Sequence, residues 1–211
     1  GEISIFVDDM TLLTKTLCSL PEKFHGLTNL EKRYRQRYLD LIVNEDSRET
    51  FRTRSRIISL LRNYLTNDGF LEFETPTLQP LYGGANARPF TTFHNFLGQK
   101  LYLRIAPELY LKRLIVGGFE KVFEVAKNFR NEDIDTSHNP EFSMVEIYQA
   151  YADYHDMMRL TESVVSTVIS DITGGNEVSF ADNTISYKTP WQVMTMENAV
   201  RTIGGVDVFA H

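Results

Sequence analysis

Residues 121–132 and 141–152 are the two longest strand candidates, and on an extended strand side chains two apart share a face. Phe123, Val125, Val145 and Ile147 share the parity that belongs in a core. Arg130 and Glu132 project together on the first stretch, as do Met144, Glu146, Tyr148 and Ala150 on the second, so the other face lines a groove. The polar loop DIDTSHNP between them predicts a long antiparallel pair. Elsewhere the period changes. Thr28 or Asn29 can cap a helix with Leu30, Tyr34, Tyr38, Leu41 and Ile42 on one face and Lys32, Arg33, Arg35 and Arg37 largely outside it. A second helix starts near Ser47, turns Phe51, Ile58, Leu61 and Leu65 inward and stops at Gly69. Asp153 caps a third with Met157, Leu160, Val164, Val168 and Ile172 at helical spacing, closed by Gly174 and Gly175.

Shorter elements fill the rest. FLEFETP reads as a strand stopped by Pro76, and RPFTTF with KLYLR as a strand pair around HNFLGQ. Pro107 opens a helix over ELYLKRLIV that ends at Gly117 and Gly118. EVSFADNTISY is a hairpin turning at Asp182 and Asn183, and Thr195 caps a last short helix. Ile3, Ile5 and Val7 alternate with Glu2, Ser4 and Phe6 ahead of MTLLTKTL, which predicts two strands that need partners, and residues 19–26 read as a linker. The fold class is therefore α+β, an antiparallel sheet flanked by helices.

Composition narrows the function classes. With 211 residues, 42% hydrophobic and 24% charged, the chain is globular rather than disordered. No apolar run is long enough to span a bilayer, so no membrane partner is expected. Cys18 is the only cysteine; it can form neither an internal disulfide nor a zinc cage with others of its kind, and a reducing, cytoplasmic location fits. The net charge of −6 argues against coating nucleic acid by charge alone, but residues 23–62 carry ten basic and five acidic side chains, and a polyanion should approach there.

Candidate chemistry concentrates between the two long strands. His138, Asn139 and Phe142 with Arg130 can hold a purine nucleotide: a ring to stack on the base, amide and imidazole groups for hydrogen bonds, and a guanidinium for a phosphate. An ordinary solvated sheet face would present the same residues. There is no GxxxxGK or GxGxxG loop and no nucleophile elbow, so neither a Walker fold nor covalent catalysis has a candidate.

FRNEDIDTSHNPEFSMVEIYQAYADY resembles motif 2 of the class II aminoacyl-tRNA synthetases, in particular the lysine member of the aspartate, asparagine and lysine subgroup. FLEFETPTLQPLYGGANARPF resembles motif 1 and its continuation, and LYLRIAPELYLKRLIVGGFEKVFEVAKNFR the segment joining the motifs. LPEKFHGLTNLEKRYRQRYLDLI resembles the connection out of an OB-fold anticodon-binding domain. The resemblance covers essentially the whole chain. It implies a ligase that joins L-lysine to ATP as lysyl-adenylate and passes the lysyl group to tRNA(Lys), acting as a homodimer with Mg²⁺. Position by position it implies that Arg130 is catalytic, bridging the lysine carboxylate and the α-phosphate. Asn131, Glu132, His138, Asn139 and Phe142 would join Arg130 around ATP, Phe142 stacking on adenine. Gly84 and Glu108 would hold the α-amino group, and Glu146 and Tyr148 would line the side-chain pocket. Read without the resemblance, Glu108 is equally a first-turn glutamate at a helix N-terminus and Gly84 an ordinary turn glycine.

The same resemblance divides the chain into residues 1–20, the last strands of an OB-fold; residues 21–45, a linker and connecting helix; and residues 46–211, the first part of an incomplete catalytic domain. The glycine-rich motif 3 and the acidic Mg²⁺ ligands of the family have no counterpart here, so a central piece of such an enzyme is expected, with no metal ligands of its own. A paralogue that lysylates a protein, or a non-catalytic module of the same fold, are the alternatives.

Overall fold

The computed structural model describes residues 3–21 and 26–207. It divides at residues 55 and 56 into two units. In the first, Asn29 caps helix α1 (Leu30–Arg35) by accepting from the Lys32 amide at 2.8 Å. Gln36, with non-helical dihedrals, separates it from α2 (Arg37–Val43), so the single expected helix is broken. α3 (Glu45–Asn67) follows. The interior of this unit is polar. The Asp40 carboxylate, fully buried, accepts from Arg33 Nε at 2.7 Å, Arg37 at 2.5 Å and Asn44 Nδ2 at 2.6 Å. Burial alone would raise its pKa, but bonds from Asn44, Arg33, Ser47 and Arg37 outweigh that and hold the carboxyl well below the usual range. Its contribution to stability is lost only as pH falls through that lowered pKa.

Because Asp40 draws Arg33 and Arg37 inward, the apolar stripe expected to face a core is turned out. Leu30, Tyr34, Tyr38, Ile42 and Phe51 are all exposed, with the Arg37 guanidinium 5.0 Å and 5.5 Å from the Tyr34 and Phe51 ring centres. The expected hairpin over residues 3–17 does not form. No strand occurs over residues 3–20, and Ile3, Ile5 and Phe6 are exposed, as the marginal stability of an unpartnered hairpin in water requires. Glu2 and the linker residues 22–25 lie outside the described residues.

The second unit places one sheet against two helices. β1 (Leu71–Glu72), β5 (Lys121–Phe129) and β6 (Glu141–Gln149) form it in the order β1-β5-β6. β5 and β6 are antiparallel over nine residue pairs, from Lys121↔Gln149 to Phe129↔Glu141, as the polar loop between them predicts. β1 runs parallel to β5, so the sheet is mixed rather than wholly antiparallel: the long connection between them returns the chain in the same direction. That connection holds a second sheet, with β2 (Leu78–Gln79) and β3 (Thr91–His94) both antiparallel to β4 (Gln99–Leu103), and α4 (Glu108–Val116). Leu65, Phe70, Phe123 and Val164 are the buried centre, wrapped by Leu61, Tyr64, Val125, Val145, Ile147 and Leu160. The odd-parity face of the sheet thus packs on the part of α3 that belongs to this unit, through Leu61, Tyr64 and Leu65, and on α5 (Tyr154–Thr173).

α5 starts at a capping box in which Asp153 accepts from the His155 and Asp156 amides and Asp156 accepts from the Asp153 amide; it ends at Gly174, left-handed at φ 74°. Hairpin β7–β8 (Glu177–Phe180 and Asn183–Ser186) turns at Ala181 and Asp182, one residue earlier than expected. α6 (Met196–Thr202) is capped by Thr195. Among the described residues no helix is long and apolar enough to cross a membrane.

Candidate active site

Antiparallel register puts directly opposed residues on one face. Pairs Val122↔Tyr148, Glu124↔Glu146, Ala126↔Met144 and Asn128↔Phe142 therefore line the even-parity face of β5 and β6, and Arg130 follows at the end of β5. The face is not a solvated surface. Val122, Glu124, Ala126 and Asn128 are buried and the β6 residues are half-buried, so charge placed here is removed from water.

At the Arg130 end lies a cleft of about 380 Å³ lined by Arg130, Glu132, Asp133, Ser137, His138, Asn139, Phe142 and Ser143. The Arg130 guanidinium sits 5.0 Å from the Phe142 ring centre, and its Nε is buried with no hydrogen-bond partner among the described residues. The strand pair closes behind it through the Arg130 amide, which donates to Pro140 O at 2.9 Å. Beyond β5 the chain is tied to the segment after Gly84: the Asn131 amide donates to Arg88 O at 2.8 Å and Glu132 accepts from the Arg88 amide at 3.1 Å. Asn131 itself stands outside the cleft lining. On the far lip Asp135 accepts from the Ser137 and His138 amides and from His138 Nδ1 at 2.8 Å; these bonds lower the Asp135 pKa, the Ser137 amide most.

Four residues along β6, roughly 13 Å at strand rise, the face becomes acidic. Tyr148 donates its hydroxyl to Glu146 at 3.0 Å. Burial raises the Glu146 pKa; the Tyr148 bond and Arg130 oppose this, while the charges of Glu108 and Glu124 add to it. Burial and the neighbouring Glu146 push the Tyr148 phenol far up as well, which keeps it a donor. Gly84, left-handed at φ 88°, packs against Glu108: a Cβ there would come within 2.8 Å of Glu108 Cβ and 3.3 Å of Ala106 Cβ. This close approach explains the glycine. Glu108 opens α4, where a carboxylate suits the helix N-terminus, and its Oε1 is held by Lys112 at 2.5 Å. Gly84 and Glu108 thus lie together, as do Glu146 and Tyr148 and, in the cleft, Arg130 with Phe142.

Two features of this face escape a reading by residue type. Glu124, 3% exposed, forms a buried ion pair with Arg104, 5% exposed, at 2.6 Å. Thr75 completes it, donating its amide and hydroxyl to the second Glu124 oxygen. Period-two counting flags Glu124 only as one more polar residue, and nothing in RPFTTF and KLYLR marks Arg104. Asn128, fully buried, leaves both polar atoms of its amide without a partner among the described residues.

Comparison with known proteins identifies the family. The family model described as tRNA synthetases class II (D, K and N) matches residues 29–208. Lysine–tRNA ligase of Methanospirillum hungatei is 87% identical over 211 residues, which are all of this chain and 42% of that protein. Lysine–tRNA ligase of Methanoculleus marisnigri is 68% identical over 207 residues, 98% of this chain and 41% of that protein. Lysine–tRNA ligase 2 of Methanosarcina mazei is 64% identical over the whole chain and 41% of its own length. The chain spans about two fifths of the length of the curated relatives it matches.

Proposed function

The chain belongs to the class II tRNA synthetases (D, K and N), and on that premise we propose that the protein carrying it is a lysine–tRNA ligase: it activates L-lysine with ATP and transfers the lysyl group to tRNA(Lys). One observation carries the choice of amino acid. Glu146 is half-buried on a strand face where Glu108 and Glu124 add negative charge, and its bond is to a neutral hydroxyl rather than a cation. A buried carboxylate of this kind is satisfied by an ε-ammonium, and a neutral side chain would leave it unpaired.

Arg130 is the catalytic residue. Its guanidinium, steadied over Phe142, bridges the lysine carboxylate and the α-phosphate of ATP, where negative charge grows as the carboxylate oxygen attacks phosphorus and pyrophosphate leaves. Adenine stacks on Phe142, and Glu132, His138 and Asn139 with Asn131 complete the nucleotide end. Gly84 and Glu108 hold the α-amino group, Lys112 yielding its exposed ion pair as the substrate ammonium arrives. Glu146 and Tyr148 hold the ε-ammonium. No enzyme nucleophile takes part. Mg²⁺ accompanies ATP in this reading; among the described residues no group of three or more His, Cys, Asp or Glu is placed to hold a metal ion, and none is assigned that task.

We also place residues 1–20 at the end of an OB-fold anticodon-binding domain, residues 21–45 as its connection and residues 46–211 in the catalytic domain. The protein works in the cytoplasm as a homodimer joined through α3 and the segment before Pro76; sedimentation as a monomer at high concentration would overturn the dimer. The activity is tested by ATP–pyrophosphate exchange in the full-length protein. Exchange should depend on lysine and be absent with the isosteric neutral amino acid norleucine; equal exchange with both would refute the assignment.

A further inference from the structure

We propose that Arg104 is a positioning residue for Arg130, setting the end of β5 through contacts that tie it to the segment of Thr75 and Thr77. The inference rests on the reading of Arg130 given above and adds a residue to it. Arg104 follows directly on β4 and is 5% exposed. Its amide donates to Thr77 O at 2.9 Å and its carbonyl accepts from the Phe129 amide at 2.9 Å, one residue before Arg130. Its side chain continues the same seam. Nε donates to Lys127 O at 2.8 Å, while one terminal nitrogen reaches Glu124 at 2.6 Å, Thr75 O at 3.0 Å and Thr75 Oγ1 at 3.2 Å.

The consequence is geometric. Lys127 O and the Phe129 amide point out of β5 towards β4 rather than towards β6, and Arg104 meets both, so the last turn of strand ahead of Arg130 is held from two directions. Among the described residues Arg130 has no bond of its own at Nε and only the Phe142 ring beneath its guanidinium. The aim of Arg130 therefore depends on the backbone that carries it. A planar fork with donors fixed in one plane can serve Lys127 O, Thr75 and Glu124 together, which a lysine ammonium on a flexible stem cannot. Glu124, opposite Glu146, is already paired with the same guanidinium, so of these two acids Glu146 is the one whose hydrogen bond is to a neutral hydroxyl.

The alternative is that Arg104 only neutralises buried Glu124, and the two roles separate experimentally. In the full-length protein, Arg104→Met strands the Glu124 charge. The double variant Arg104→Met with Glu124→Leu replaces the pair by apolar groups of similar size, an exchange buried ion pairs often tolerate. Thermal melting and lysine-dependent pyrophosphate exchange are measured on both, and on Arg104→Lys, which keeps the charge without the fork. We expect the double variant to melt near the wild type while its kcat stays roughly 100-fold down, the scale of an ångström-level misplacement. Arg104→Lys should show the same split. Wild-type kcat in a well-folded double variant overturns the proposal, as does wild-type kcat in Arg104→Lys if the double variant does not fold. Absence of lysine-dependent exchange in the unmodified protein refutes the ligase reading instead.

Discussion

Glu146 is asked to do two things that oppose each other. Its pKa, raised first by burial and then by the charges of Glu108 and Glu124, means that folding favours the neutral acid more than an exposed glutamate would. The resulting contribution to stability is present below the unfolded pKa and lost as pH rises through the folded one. Binding an ammonium requires the carboxylate, so lysine affinity follows the other sign. It should weaken as pH falls through the raised pKa, at higher pH than an ordinary glutamate would give, and isothermal titration across pH 4–8 reads this directly. Glu146→Gln should remove the pH step and raise the KM for lysine roughly 10- to 100-fold, the worth of one charge-assisted bond, while leaving the protein no less stable. A pH-independent affinity in the unmodified protein would contradict the role. The place of Glu146 on the even-parity face was legible from parity. What could not be read was the balance of burial against charge, because that depends on Glu124, whose own charge is tied up by Arg104, a residue 20 positions away.

Among the elements, those specified by local chemistry were readable and those specified by distant partners were not. α5 announces itself through Asp153 and Gly174, and both caps form where they stand in the chain. Losing the Asp153 box should cost about 1 kcal/mol, so Asp153→Ala should lower the melting temperature by a few degrees without changing substrate KM; an unchanged melt would show that tertiary packing alone fixes the start of α5. β5 and β6 were likewise readable from the shared parity of Phe123, Val125, Val145 and Ile147, which fixes the core face but not the register of the nine pairs. By contrast, the parallel pairing of β1 with β5 leaves no local trace, since two residues of strand carry too little pattern. The stripe Leu30, Tyr34 and Tyr38 misleads because amphipathic spacing says which residues share a face and not which face is inward. In the first unit a buried carboxylate, Asp40, decides that question.

At the scale of the whole chain, the basic excess of residues 23–62 looked like a docking surface for a polyanion. Its ion pairs leave most of that excess in place: Arg33 and Arg37 meet Asp40, Arg35 meets Glu31, and Arg48 and Arg52 meet Glu45, acids already subtracted in the count, while of these arginines Arg62 alone turns to an acid outside the segment, Glu72. The proposed chemistry lies on the β5–β6 face, where one guanidinium and several acids share a partly dehydrated surface. The measurement that tests this most directly is lysine-dependent ATP–pyrophosphate exchange in the full-length protein with Arg130→Ala. In the proposed role this guanidinium meets both the lysine carboxylate and the charge developing at the α-phosphate, so kcat/KM for lysine should fall by at least roughly 100-fold, with kcat itself lowered because the second contact grows in the transition state. Exchange at the unmodified rate in Arg130→Ala would contradict the account.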